Sequence, residues 1–150
     1  MQEQNISTIQ KRILSFMIDD IVVGIFLAII FYDQITALGM QISSMDNVDA
    51  IQKVINEFFV STIPIVITLK VLYHSLLVWQ SGMTIGKYIT KIKVVDINSG
   101  DKPTFAQALF RASLRIISEI PFYIGFALAF VSPMRQTLHD KFSNCVVVDV

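Results

Sequence analysis

Charged residues are scarce in this sequence, and cysteine is nearly absent. Only 16% of the residues are charged, whereas soluble domains carry about 25%. The net charge is zero, so nothing indicates nucleic acid as a partner. The lone Cys145 excludes an internal disulfide, and we interpret it as a small apolar residue. Apolar residues make up 53% of the chain, which is typical of a membrane protein.

Two long apolar runs organise the chain. They cover residues 13–32 and 58–79, and each reaches the about 20 residues that a helix needs to cross the hydrocarbon core. Tyr32 and Trp79 stand at their ends, where amphipathic rings prefer the membrane interface. The sequence therefore predicts a two-span helical hairpin within a single domain, residues 1–150.

The charges between the runs predict an orientation. The loop of residues 33–57 is mainly acidic, whereas the N-terminus and residues 80–103 are rich in lysine and arginine. Basic loops stay on the cytoplasmic side. We therefore expect a multi-pass protein with both termini in the cytoplasm and residues 33–57 outside.

Residues 104–119 form an amphipathic pattern. Thr104 and Gln107 match a capping box, and Arg111 and Arg115 share a helix face with Gln107. Apolar side chains occupy much of the remaining surface. This pattern predicts an interfacial helix whose basic face meets anionic lipid or protein.

The remaining C-terminal pattern is mixed. Residues 120–132 are too few to span comfortably, so we predict a re-entrant or third hydrophobic segment; alternatively, residues 108–131 form one or two true spans. Residues 89–95 and 145–150 are strand-like, and we predict that they pair into a small cytoplasmic sheet. The fold class is thus an all-α membrane protein with a short β pairing.

Ionisable residues inside the apolar runs predict a charged layer. Counted from the cytoplasmic ends, Asp19 and Asp20 lie roughly 10 Å deep, Lys70 roughly 13 Å and His74 roughly 8 Å. A lone charge in hydrocarbon costs several kcal/mol, so mutual pairing is expected. We expect Asp19 to pair with Arg12 or Lys70, and Asp20 with His74 or with the two arginines of the interfacial helix.

Two interpretations of this layer stay open. It could be an ion or proton path, because buried acids and bases titrate readily. It could equally be a fixed set of ion pairs that holds the helices together. Ser15, one turn before Asp19, is placed to hydrogen-bond that carboxylate, and Gly24 is placed to permit close helix approach.

Four motifs in order carry a resemblance to a known family. They are "KRILSFMID" with Arg12 and Asp19, "GMTIGK", "KIKVVDINSGDKPTFAQALFR" and "SPMRQTLHD" with Asp140. Together they resemble the RDD family of bacterial membrane proteins, which is named for one arginine and two aspartates. The resemblance implies the bacterial inner membrane and a role in transport, including of ions. Asp20 and Lys70 fall outside its pattern.

The signature "GMTIGK" also has a physical interpretation. Gly82 and Gly86 suit a tight turn that leaves the membrane, with Thr84 between them, and Lys87 suits a phosphate headgroup. The spacing differs from that of a nucleotide-binding P-loop, so we exclude nucleotide binding.

The signature "SPMRQTLHD" places His139 beside Asp140. We expect Asp140 to form a salt bridge with Arg111, Arg115 or Arg135 and so to dock the C-terminal segment on the hairpin; a coupling or gating role is the alternative. The histidines and carboxylates follow no metal-ligand pattern, so we expect no metal site.

Two functions fit these observations. One is transport of a small ion or a proton-coupled solute by a homo-oligomer, because two spans alone enclose no path. The other is an accessory or scaffold protein that binds another membrane protein or lipid. The sequence carries no recognisable nucleophile, metal box or cofactor fingerprint, so we expect neither an enzyme nor a cofactor.

Overall fold

The chain folds mainly into helices. The computed structural model describes residues 5–119, 129–130 and 132–150. Helix α1 (Ile9–Ile30) begins at Thr8, whose hydroxyl accepts from the backbone N–H of Lys11, and α2 (Tyr32–Ser43) follows after the single residue Phe31. Helix α3 (Val48–Ser81) begins at Asn47, whose side chain accepts two backbone N–H groups. The predicted outer loop is therefore largely helical, since α2 and the first turns of α3 occupy it.

Short elements follow α3. Gly82 ends α3 in a left-handed conformation (φ 74°), and α4 (Ile85–Ile89) begins directly after Thr84. Strand β1 (Ile92–Asp96) leads to α5 (Phe105–Glu119), whose predicted capping box between Thr104 and Gln107 is present. Helix α6 (Leu138–Phe142) and strand β2 (Cys145–Asp149) complete the described chain.

The two strands pair as predicted, and the structure shows that the pairing is antiparallel. Ile92 lies opposite Asp149, and Asp96 lies opposite Cys145. Strand β1 starts later than the predicted run of residues 89–95, because Ile89 belongs to α4. The N-terminal segment adds to the other edge of β2, where Ile6 bridges to Val148. The sheet residues pack with α3 and α5 in a core of buried apolar side chains: Val78, Ile92, Val94, Ala108, Cys145 and Val147.

Apolar side chains on α1 and α3 point outward. Ile21 and Ile29 of α1 are 61% and 68% exposed, and Val60 of α3 is 70% exposed. Both helices are long and apolar enough to cross a bilayer, yet few of their residues are buried in the protein. The core helix of a soluble protein would instead be largely buried. These two candidate membrane-spanning helices point to a membrane protein.

Helix α5 turns its basic face toward the protein, which is one of the two partners predicted for that face. Arg111 and Arg115 are 4% and 3% exposed and face the protein, whereas Phe110 and Ile117 are half exposed. The helix packs mainly on α3, and α1 packs mainly on α4. The basic face therefore meets protein and not lipid. Of the predicted 120–132 segment, residues 120–128 and 131 lie outside the described residues.

Candidate functional site

Asp19 is fully buried in α1 and is held by donors from two other helices. Its carboxylate accepts from the Thr84 hydroxyl at 2.6 Å, the Gly86 backbone N–H at 2.8 Å and the Tyr73 hydroxyl at 2.8 Å. The Lys87 ammonium lies 3.9 Å away. The expected pairing with Arg12 or Lys70 is therefore wrong. Three hydrogen bonds and one nearby ammonium therefore hold the Asp19 carboxylate in place inside the protein.

The "GMTIGK" signature explains this geometry. The left-handed turn at Gly82 reverses the chain after α3, and Thr84 then caps α4 while its hydroxyl donates to Asp19. Gly86 brings the α4 backbone against α1: a Cβ atom there would collide with the Ser15 carbonyl oxygen. The predicted turn is confirmed, but the close approach is at Gly86. Gly24, which was expected to provide it, faces open space.

Lys87 lies inside the protein and not at a headgroup position. It is 6% exposed, and burial, followed by the charge of Arg111, lowers its pKa to about 7, although Asp19 raises it. The sequence predicted a headgroup contact for Lys87, whereas the structure buries it beside Asp19. The reason is that α4 folds back onto α1, which spacing along the chain does not reveal. A lysine with this pKa exchanges its proton near neutral pH.

Asp140 forms a second buried ionic centre at the start of α6. Arg111 donates to its carboxylate from Nε at 2.8 Å and Nη2 at 2.6 Å, and Arg12 donates from Nη1 at 3.2 Å. Burial alone would raise the pKa of Asp140, but Arg111 and Arg12 hold it well below its usual range. Asp140 also forms a capping box with Thr137. The predicted pairing with Arg111 is confirmed.

Arg12 connects the two ends of the chain. Its guanidinium donates to the Ser7 hydroxyl at 2.8 Å, to the Val147 carbonyl at 2.9 Å and to the Arg135 carbonyl. The Arg135 side chain, which was one expected partner of Asp140, is exposed and donates to the Ser7 carbonyl at 3.3 Å. Arg12 and Asp19 both belong to the first motif of the family resemblance, but they lie in different ionic centres.

Arg115 and His74 meet between α5 and α3. Arg115 Nη1 lies 3.3 Å from His74 Nδ1, and its guanidinium stacks 4.7 Å from the Phe16 ring centroid. Asp20 instead contacts Lys70, with 3.3 Å between the ammonium and the carboxylate, at a partly exposed position. The expected Asp20 partners, His74 and the α5 arginines, are therefore wrong. Asp20 and Asp19 point to different sides of α1, which explains their different partners.

His139 is buried beside Asp140. Its Nε2 lies 3.9 Å from the carboxylate, and burial lowers the pKa of the imidazole well below its ordinary value. The ring is therefore neutral at physiological pH. Among the described residues, no group of three or more His, Cys, Asp or Glu side chains is placed to hold a metal ion.

A cavity of about 360 Å³ lies between α1 and the two ionic centres. Its charged lining consists of four cations and one carboxylate among the described residues: Arg12, Lys87, Arg111, Arg115 and Asp140. Apolar side chains of α1, of residues 129–130 and of both strands, together with Thr137 and His139, line most of the remainder. The Ser15 hydroxyl also lines the cavity. It is buried and has no hydrogen-bond partner among the described residues, so its expected bond to Asp19 is absent.

Several known proteins are similar to this chain in sequence. The model of the RDD family matches residues 6–144. The uncharacterized protein YxaI of Bacillus subtilis is 29% identical over 142 residues, covering 91% of this chain and 93% of that protein. A proline-rich antigen homolog of Mycobacterium tuberculosis is 33% identical over 69 residues, 46% of this chain and 29% of that protein. The uncharacterized protein RP437 of Rickettsia prowazekii is 30% identical over 70 residues, 47% of this chain and 38% of that protein. No solved structure matches the chain.

Proposed function

The chain belongs to the RDD family, and on that premise we propose that it transports a small ion or a proton-coupled solute across the bacterial inner membrane. The proposal is non-enzymatic and includes no cofactor. In it, α1 and α3 cross the bilayer as an antiparallel pair, with both termini and the two-stranded sheet in the cytoplasm. The outward apolar side chains of both helices support this placement.

The observation that carries the proposal is the buried pair of Asp19 and Lys87. A carboxylate within an apolar helix is retained where it serves an ion or proton path. Its cationic neighbour has a pKa of about 7, so the net charge of the pair changes near physiological pH. Loss of the Lys87 proton would leave Asp19 without its nearest ammonium, and in this proposal a transported cation takes that place.

A transport pathway must also be enclosed by protein, and we propose that further copies of the chain enclose it. Two crossing helices do not enclose a passage, whereas a homo-oligomer of them can. The outward apolar surface of α5, which includes Leu109, Phe110 and Ile117, is available for contact with lipid or with a second copy.

A scaffold role is the alternative, and a specific observation favours it. Both buried carboxylates have several donors, and Asp140 is held by two arginines from distant parts of the chain. Such saturated pairs suit a fixed framework. The exposed helix α2, with Ile35 and Met40 at its surface, would then bind another membrane protein.

A flux experiment separates these functions. The full chain in liposomes should dissipate an imposed pH, Na⁺, K⁺ or Cl⁻ gradient, and Asp19→Asn should abolish the flux while thermal unfolding shows a folded protein. Asp33→Asn is the matched control, because this exposed aspartate lies in α2. The particle mass in detergent reports the oligomer. Absence of flux from the wild-type protein for every ion would refute transport and leave the scaffold role.

If Asp19→Asn fails to fold, the pH dependence of the flux tests whether the Asp19–Lys87 pair takes part in transport. Wild-type flux should change with a midpoint near pH 7, and Lys87→Arg should remove that midpoint because arginine stays charged. An identical pH profile in both proteins would contradict the role of the Asp19–Lys87 pair.

A further inference from the structure

Helix α4 has its polar side chains inside the protein and its apolar side chains outside. Thr84, which caps the helix, and Lys87 are 2% and 6% exposed, whereas Tyr88 and Ile89 are 72% and 57% exposed. In water, the cost of exposing apolar surface favours the opposite arrangement. Hydrocarbon surroundings favour the observed one, because lipid contacts the apolar side chains while the protein interior pairs the polar groups. The outer face of α4 is therefore suited to lipid and not to water.

Contacts with α1 determine the depth of α4. The Gly86 backbone N–H donates to Asp19 at 2.8 Å, and Gly86 also packs against the Ser15 carbonyl oxygen. Ser15 and Asp19 belong to the apolar run of α1 that begins at residue 13, and Asp19 lies roughly 10 Å from its cytoplasmic end. Since α1 crosses the bilayer in the membrane placement proposed above, α4 lies at the level of the hydrocarbon and not of the aqueous loops.

Helix α5 shows the same inverted polarity. Arg111 and Arg115 face the protein, whereas Phe110 and Ile117 are 50% and 58% exposed. Helix α4 packs on α1, and α5 packs on α3. Lipid that surrounds the two crossing helices therefore reaches α4 and α5 as well, and two helices from different parts of the chain are adapted to it in the same way.

We propose that α4 lies in the inner leaflet, where Ile85, Tyr88 and Ile89 contact acyl chains and the exposed Lys91 reaches the lipid phosphates. A lysine two residues after an apolar pair can extend its ammonium toward water and anionic headgroups. A second copy fits this surface less well, because a stable protein interface buries about 800 Å² per partner and α4 has only five residues. The inference rests on the membrane placement proposed above and not on transport.

Tryptophan quenching in the full chain tests the position of α4. Trp79 is the only tryptophan, so Trp79→Phe gives a silent background for Tyr88→Trp in vesicles of phosphatidylcholine and phosphatidylglycerol. Phosphatidylcholine brominated in the upper acyl chain should remove about half of the Tyr88→Trp emission, since an inserted apolar face lies about 5–10 Å into the boundary of headgroups and acyl chains. Aqueous acrylamide should have little effect. Asn98→Trp, at an exposed turn after β1, is the matched control and should respond in the opposite way.

The two quenchers separate the possible surroundings of α4. Acrylamide quenching of Tyr88→Trp as strong as that of Asn98→Trp would place α4 in water and overturn the proposal. Protection from both quenchers would show that a second copy or another part of the chain covers α4, and it would overturn the proposal as well. If Tyr88→Trp does not fold, Ile89→Trp takes its place. Quenching by bromolipid without flux refutes transport alone, and flux together with acrylamide quenching refutes the insertion of α4 alone.

Discussion

Gly86→Ala is expected to be among the most damaging single-methyl additions to this protein. A Cβ at this position would overlap the Ser15 carbonyl oxygen and lie 2.9 Å from Asp19 Cγ. The first obstacle is backbone, so relief requires α4 to move away from α1. That movement lengthens the bond from the Gly86 N–H to the buried carboxylate, which is 2.8 Å in the native protein.

Two free-energy costs determine how far Gly86→Ala destabilises the protein. Forcing an extra methyl into a packed contact costs about 1–3 kcal/mol, and loss of a hydrogen bond to a charged group costs about 1.5–3 kcal/mol. The higher helix propensity of alanine returns about 0.5–1 kcal/mol. We therefore expect Gly86→Ala to lower the free energy of unfolding by about 2–5 kcal/mol.

Gly24→Ala supplies the matched control. A Cβ at Gly24 meets no atom within 4 Å, so only the helix propensity changes, and stability should rise by up to about 1 kcal/mol. Thermal unfolding of both detergent-purified variants, followed by Trp79 fluorescence, measures the difference. For a chain of this size, Gly86→Ala should lower the midpoint by about 5–20 °C. Equal midpoints for the two variants would refute the close packing of α4 on α1.

Three further changes test the ionic centres. Asp140→Asn should destabilise the protein by about 3–5 kcal/mol, because it leaves Arg111 buried without its carboxylate. The pKa of Lys87 is near 7 in the folded protein and near 10.5 in the unfolded chain, so between these pH values the unfolded chain binds more protons. The free energy of unfolding should therefore rise by up to about 1.4 kcal/mol per pH unit over this range. Lys87→Met should flatten this slope in unfolding measured at pH 7–10. Asp20→Asn should cost less than about 1 kcal/mol in the same unfolding assay, because its contact with Lys70 is partly exposed.

Two matched control variants remove an exposed charge instead of a buried one. Asp101→Asn removes an exposed carboxylate and should leave the unfolding midpoint within about 0.5 kcal/mol of the native value. Lys141→Gln should keep the native pH slope. An Asp140→Asn variant as stable as Asp101→Asn would contradict the buried pair, and an unchanged slope in Lys87→Met would contradict the burial of that ammonium.

Local patterns predicted much of the fold. The capping box at Thr104 and the turn at Gly82 depend on residues a few positions apart, and both are present. The two strand-like runs were recognisable from their local composition, and they pair although about 50 positions separate them. The Arg111–Asp140 pair was also among the expected ones. It was predictable because a buried carboxylate requires a cation, and the sequence contains only four arginines.

The partners of Asp19 could not be predicted in this way. Depth along the two apolar runs suggested Arg12 and Lys70 as partners of Asp19. Thr84, Gly86 and Lys87 instead reach Asp19 by folding back from beyond the end of α3. Periodicity likewise separated the two faces of α5 but did not reveal which one faces the protein.

The contact between Arg12 and Asp140 joins residues separated by 128 positions, and the Val147 carbonyl accepts from the same guanidinium. At about 5–20 residues per second, a ribosome makes these two groups about 6–26 s apart, always with the arginine first. Helix α1 is therefore made well before its carboxylate partner exists. A chain stalled ahead of Asp140 keeps an unneutralised guanidinium, which distinguishes unfinished copies from finished ones.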